Sequence, residues 1–435
     1  MSAPDAGPVS AALARVVRPI EGDDDLDALA GRIAEARLVL LGESTHGTRE
    51  FHELRAALTR RLIAHHGFAA LAIDADWPDV LPVDRYLRGQ GDDESASAAL
   101  ASFERFPEWR WRNAEFAELV EWLHAENGHR PPAARAGCYG LDLYAQQASI
   151  RAVLSYLAEV DPEAAIRARV RYASFDHAPL PRGGLPAPCE DELVEELVEM
   201  QRRRTARSGR APSGEAWFRA IQGTRVAQRA EAYYRALVGG AASAFALREV
   251  ELADTLDLLS AQLAGAGGPP RLVVWAHNVH VGDSHDPGAR QTLATVLRQR
   301  HPGEVMSVGF TTYTGTVACA HEWDGPPEVE ELRAPGPGSW EHVLHEVGVP
   351  RFLVTAPALR QAAGEHAERP HRAIGAVYRP EIERWNHDPP ARLAERYDLV
   401  VHVDATSALE LLPRSVPESY DAQTLHLSHA YPTAP

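Results

Sequence analysis

Short, uninterrupted apolar runs recur along this chain and constrain its fold more than any other feature. They are Arg37–Leu41, Phe68–Ile73, Arg135–Tyr139, Arg271–Ala276, Glu304–Phe310, Phe352–Val354, Ala373–Val377 and Leu399–Val403. Most are continuous rather than alternating, the pattern of strands covered on both faces. Helical patterns separate them, so the expected fold class is α/β: a central, mostly parallel sheet with helices on both faces. No strand-like run lies between Gln146 and Ala264. That stretch reads as a large helical insertion with a Pro- and Gly-rich loop at Ala178–Pro188, either a lid or substrate wall or a plain packing layer. The expected divisions are residues 1–145 and 265–415 as the two parts of the α/β core, 146–264 as the insertion, and 416–435 as a loose tail.

With 435 residues the chain can form one large core with an insertion, or two domains. A formal net charge of -17 argues against nucleic acid and against an anionic membrane surface as partners, since both need a basic patch. The arginines at 202, 203, 204, 207 and 210 follow the glutamates at 190, 192, 195 and 196, and read as a solvated helix face. Cys138, Cys189 and Cys319 are widely spaced, which suits a reducing compartment and neither a disulfide framework nor a cysteine zinc site. No signal-like start and no run of about 18 apolar residues is present. A cytoplasmic location is expected, with a small-molecule substrate as the partner and neither nucleic acid nor membrane.

The chemistry-bearing residues follow the apolar runs. The first run ends in Leu41-Gly42-Glu43-Ser44-Thr45-His46-Gly47-Thr48. Its glycines permit a tight turn, and Thr48 is placed to cap the next helix. Glu43 and His46 thus fall beyond the carboxyl end of a strand, where open α/β sheets bind ligands. A histidine beside a carboxylate suits general-base work near neutral pH, although such a pair taken alone is more often a capping histidine with a surface glutamate. Asp74 directly follows the second run, as a turn aspartate also would. His277 and His280 follow the run ending at Ala276, and Tyr139-Gly140-Leu141-Asp142 forms a fourth corner. Arg55 shares a helix face with Phe51, Leu58 and Leu62, and Arg248 shares one with Phe245, Leu252 and Leu259. An arginine in an apolar stripe needs an anionic partner or must snorkel to solvent, and Glu43 and Asp74 are available to Arg55. No acidic residue lies within two positions of His277, so His277 and His280 are expected to bind or to stabilise an oxyanion, with His46 as the base.

Together these segments resemble the erythromycin esterase family, in order, from about residue 30 to 410. The matching pieces include Gly42-Glu43-Ser44-Thr45-His46-Gly47, the helix carrying Arg55, Ala72-Ile73-Asp74-Ala75-Asp76-Trp77-Pro78 and Tyr139-Gly140-Leu141-Asp142. Further on come Tyr233-Tyr234-Arg235, Trp275-Ala276-His277-Asn278-Val279-His280, Gly309-Phe310-Thr311-Thr312-Tyr313, Glu322-Trp323-Asp324 and Gly375-Ala376-Val377-Tyr378-Arg379-Pro380. The resemblance implies hydrolysis of an ester or lactone without a metal or other cofactor, with His46 activating water and Glu43, Arg55, His277 and His280 assisting. Two positions depart from the family pattern: Asp74 stands where the family usually has Glu, and the residues around Arg248 differ. The expected catalytic set is His46, Glu43, Arg55, Asp74, His277 and His280. Arg248, Tyr139, Asp142 and Trp77 are the expected substrate-binding residues. A metal-dependent hydrolase, a biosynthetic acyl-transfer, cyclisation or elimination enzyme, and a binding protein without turnover are the competing readings of the same residues.

Overall fold

The computed structural model describes residues 6–160, 162–163, 165–166, 214–239, 241–264, 268–284, 291–383 and 389–413. The loop expected at Ala178–Pro188, the charged stretch at 190–210, Cys189 and the tail from 416 lie outside these residues.

A nine-stranded sheet forms the centre. Its strands are β1 (Arg18–Pro19), β2 (Leu38–Leu41), β3 (Phe68–Asp76), β4 (Gly137–Asp142), β5 (Arg271–Trp275), β6 (Val305–Cys319), β7 (Glu328–Glu331), β8 (Arg351–Thr355) and β11 (Leu399–Thr406). Two further short strands, β9 (Arg369–Pro370) and β10 (Pro390–Ala391), pair with each other. The spatial order is β1-β8-β11-β6-β2-β5-β3-β4, with β7 paired to β6. From β11 to β4 every neighbouring pair is parallel. The additions are antiparallel: β8 on β11, β1 on β8 and β7 on β6.

Continuous apolar strands follow from two covered faces. Val39 and Leu41 join Leu71, Ile73, Val273 and Trp275 in one core. Against it pack Leu29 and Ile33 of helix Asp23–Ile33, Phe51 and Leu58 of helix Arg49–His65, and Phe116 and Leu123 of helix Ala114–Gly128. Leu38 and Leu40 point the other way, with Ala70, Ala72, Leu272 and Val274. Helices Gly214–Gly239, Ala241–Leu263 and Leu293–Arg300 cover that face through Val226, Leu252, Leu256 and Leu297. Each such side chain contributes about 1.5–3 kcal/mol when removed from water. Between β4 and β5 the described chain is helical, as helix Gln146–Val160 followed by the two long helices, which is the expected insertion.

One expected strand is absent. Ala373–Val377 makes only two isolated bridges, Ile374 with Thr45 and Val377 with Ala320. The segment crosses the end of the sheet, so its neighbours are loop backbone rather than a strand, and apolar character there reflects burial without ladder pairing.

Candidate active site

Parallel direction places the carboxyl ends of β2, β5, β3 and β4 side by side at one edge. The polar residues that end these strands meet there. The loop after β2 is pinned by backbone hydrogen bonds. Asn278 N–H donates to the Glu43 carbonyl at 2.8 Å, Ile374 N–H to that of Ser44 at 2.7 Å and Ala318 N–H to that of Gly47 at 3.0 Å. Its glycines are required by close approach rather than by unusual dihedrals. A Cβ on Gly42 would lie 2.2 Å from Asn278 Oδ1, and one on Gly47 1.8 Å from the Ala318 carbonyl oxygen. Thr48 occupies the N-cap position of helix Arg49–His65 without a side-chain capping bond, its hydroxyl pairing with that of Thr45.

Glu43 is fully buried at the centre. Its Oε1 accepts from His46 Nδ1 at 2.8 Å and from Arg110 Nη2 at 2.6 Å, and its Oε2 accepts from Arg55 Nη2 at 2.6 Å. The Arg55 guanidinium also lies 4.5 Å from the Trp275 ring centre. Burial raises the Glu43 carboxyl, but Arg55 and Arg110, with the His46 bond, hold it well below the usual carboxylate range. His46 is driven well below the usual histidine range by burial and then by Arg110, against the pull of Glu43. With Nδ1 committed to Glu43, Nε2 is the nitrogen on the side of Gly375, where an added Cβ would stand 4.0 Å away. The His46 side chain keeps 14% exposure.

Asp74 lies within β3, where register with β4 shifts between Ile73 and Asp76. Its Oδ2 accepts the His277 backbone N–H at 3.3 Å, and its Oδ1 stands 2.6 Å from Arg110 Nη2. Burial outweighs Arg110 and pushes this carboxyl upward. His277 caps the short helix Asn278–Val281, its Nδ1 accepting from Val279 N–H at 3.2 Å. The proton of its neutral ring is therefore on Nε2. Burial lowers His277 to about 3, and its ring meets that of His46 edge-on at 4.9 Å.

His280 belongs to a second group. Its Nδ1 is 2.6 Å from Glu249 Oε1 and its Nε2 is 2.8 Å from Arg248 Nη1. Arg248 also grips Asp142 with two bonds, Nε to Oδ1 at 3.1 Å and Nη2 to Oδ2 at 2.6 Å, and lies 5.2 Å from the Tyr144 ring centre.

The edge thus gathers Glu43, His46, Arg55, Asp74, Asp142, Arg248, His277 and His280. Trp77 and Tyr139 stand apart from them in the second core. Their rings stack at 6.0 Å, and the Tyr139 hydroxyl accepts from Arg88 at 2.6 Å, so the structure gives both a packing position. Two central residues went unnoticed in the sequence. Arg110 bridges Glu43 and Asp74; its signal is an arginine set between Trp109 and Trp111, and it lies 4.7 Å from the Trp111 ring centre. Glu249 supplies the acid that pairs with His280, and in sequence it reads as an ordinary helix glutamate. His52, fully buried with neither ring nitrogen hydrogen-bonded, stands 3.9 Å behind Glu43.

An α/β sheet with histidines, carboxylates and arginines gathered across the ends of four parallel strands defines a class of site-bearing α/β proteins. The erythromycin esterase family matches residues 63–406, and the chain belongs to that family. The match takes in Asp74, Arg110, Asp142, Arg248, His277 and His280, while Glu43, His46 and Arg55 precede it. Erythromycin esterase type II of Escherichia coli is 30% identical over 109 residues, which is 25% of this chain and 24% of that protein. The match thus spans about a quarter of the length of that relative. Among solved structures, a succinoglycan biosynthesis protein superposes with a TM-score of 0.72 at 20% identity, covering 93% of this chain and 98% of its own. A Bacillus cereus protein gives 0.74 at 15%, covering 94% and 100%. A mutant of the erythromycin esterase EreC in its open conformation gives 0.63 at 13%, covering 89% and 95%. At these identities the three structures establish the shared fold.

Proposed function

We propose that this chain is a hydrolase of the erythromycin esterase type that directs water at the carbonyl of an ester or lactone in a small molecule. One observation carries the reading: His46 Nδ1 is held at 2.8 Å by an ionised Glu43, which leaves Nε2 as the ring nitrogen that can take a proton. His46 removes a proton from water through Nε2. Glu43 fixes the ring and offsets the charge that forms on it, as a carboxylate partner does for a catalytic histidine. We assign stabilisation of the developing oxyanion to His277, whose ring meets that of His46 edge-on at 4.9 Å. Arg55 and Arg110 keep Glu43 ionised in a buried site.

The same contacts favour a mechanism without a metal. Both Glu43 oxygens face arginines, and both His280 nitrogens are engaged. Among the described residues the group with metal-ligand spacing is His321, Glu328 and Glu330, on the β6–β7 hairpin outside this cluster. The test is a panel of small-molecule esters and lactones, macrolides included, with product analysis to separate hydrolysis from acyl transfer or elimination. Loss of a general base lowers rate by about 10²–10⁴-fold, so His46→Asn is expected to lose kcat/KM on that scale with an unchanged circular dichroism spectrum. Glu43→Gln is expected to lose less. Near-normal turnover in His46→Asn with none in His280→Asn would move the base to the second histidine. Turnover is expected to survive EDTA; one equivalent of bound transition metal, with turnover lost on chelation, would replace this mechanism with a metal-dependent one.

A further inference from the structure

His280 is held from both sides by groups whose hydrogen-bonding roles admit one solution. An arginine only donates, so Nε2 of His280 accepts from Arg248. Burial drives the ring down to about 3, so it is neutral and its single proton is on Nδ1, donated to Glu249 Oε1. The other oxygen of Glu249 accepts the backbone N–H of Leu293 at 2.7 Å, a donor whose direction cannot reverse. Burial prevails over Arg248 and the Leu293 amide and pushes the Glu249 carboxyl up to about 8, a direction that opposes what the hydrogen bonds require. The hydrogen bonds decide for the ionised form, because a proton on Oε1 would force Nδ1 to accept and Nε2–H to face the Arg248 N–H.

We propose that Glu249 is the positioning residue for the second half of the site: by accepting from Nδ1 it fixes the tautomer of His280 and keeps Nε2 as the acceptor that docks Arg248. Arg248 is then anchored at three points, two on Asp142 and one on His280, beside the Tyr144 ring. Glu249 does not itself reach the cleft. Resting on the hydrolase reading, the same arrangement gives the two histidines separate tasks. His280 cannot take a proton from water while Arg248 occupies Nε2, and Arg248 is presented at the wall as a fixed cation for an electron-rich group of the substrate.

Glu249→Gln tests this at nearly constant volume. Glutamine has one acceptor and one donor. Leu293 N–H claims the acceptor, so the amide NH₂ turns to His280. Nδ1 must then accept, the proton moves to Nε2, and Nε2–H meets the Arg248 N–H. The measurement is a ¹⁵N–¹H correlation spectrum of the full chain with ¹⁵N-labelled histidine, His280 being assigned by its absence in His280→Asn. The wild-type protein is expected to show the Nδ1–H tautomer and Glu249→Gln the Nε2–H tautomer. Arg248→Met is expected to keep Nδ1–H, because Glu249 remains. Wild-type His280 with its proton on Nε2, an unchanged tautomer in Glu249→Gln, or a swap in Arg248→Met would each overturn the proposal. The wild-type and Arg248→Met spectra decide it even if Glu249→Gln does not fold. These spectra need no substrate, so failure here is separate from failure of the hydrolase reading, which only the ester and lactone assays expose. In those assays Glu249→Gln is expected to raise KM more than it lowers kcat.

Discussion

His46 sits between opposing influences. Glu43 would raise its proton affinity, but burial and Arg110 prevail and hold it well below the ordinary value of 6.5. A histidine so placed stays unprotonated, and competent as a base, as pH falls through the range where a free imidazole would be lost. The acid limb of kcat/KM is therefore expected well below 6.5. Glu43 moves the same way, its depressed value keeping it ionised over that range. A kcat/KM profile measured across pH 4–8 checks this; an acid limb centred near 6.5 would show that the base is a solvated histidine rather than His46 as placed here. Asp74 differs: burial raises its carboxyl, and Arg110 is its charged partner within 3 Å.

At the scale of elements, the strand-to-helix loop between β2 and helix Arg49–His65 is tightly enclosed, by side chains of Asn278 and Val281 at Gly42 and by backbone of Ala318 at Gly47. The contact at Gly47 is with the Ala318 carbonyl, which no rotamer change can relieve. Overpacking ordinarily costs about 1–3 kcal/mol, and Gly47→Ala is expected at or above the top of that range, with loss of the His46 geometry. Gly31, within helix Asp23–Ile33, meets nothing within 4 Å. Gly31→Ala is expected to raise stability by about 0.5–1 kcal/mol through helix propensity alone. Thermal or urea melts of the two variants make the comparison, and equal effects would refute the steric account of Gly47. The helix Ala241–Leu263 does comparable work from the other side, since successive residues Arg248 and Glu249 reach both nitrogens of one imidazole.

Across the whole molecule, the site depends on ties between elements far apart in the chain. Arg110, from the segment before helix Ala114–Gly128, links the ends of β2 and β3 through Glu43 and Asp74. Removing one partner from a buried ionic cluster costs about 3–5 kcal/mol, because the remaining charge is left without compensation. Arg110→Met is expected to lose stability on that scale, read from the urea midpoint. It is also expected to free His46 from the cation that depresses it, read as an upward shift of the acid limb. An unchanged midpoint would mean that Asp74 simply takes up a proton and the link carries no stability. Among the described residues no helix is long and apolar enough to cross a membrane.

The sheet and the edge that carries the site were legible in the amino-acid order. Continuous apolar runs report burial on two faces, and parallel strands bring their carboxyl ends to one edge, so Glu43, Asp74, Asp142 and His277 had to end up at the same edge of the sheet. The partner of Arg55 was legible too, because an arginine among Phe51, Leu58 and Leu62 needs a nearby carboxylate. Periodicity carries no information about strand order, however, and that order alone places β2, β5, β3 and β4 side by side. It likewise cannot tell buried loop from strand, which is why Ala373–Val377 reads as β in sequence and folds as a crossing segment. Arg110 and Glu249 were hidden for a related reason: each meets its partner at least 31 positions away. Trp77 and Tyr139, next to polar residues in sequence, turn into the core. Whether a residue lies beside a site is local information; which way it faces is decided by what the rest of the chain packs against it.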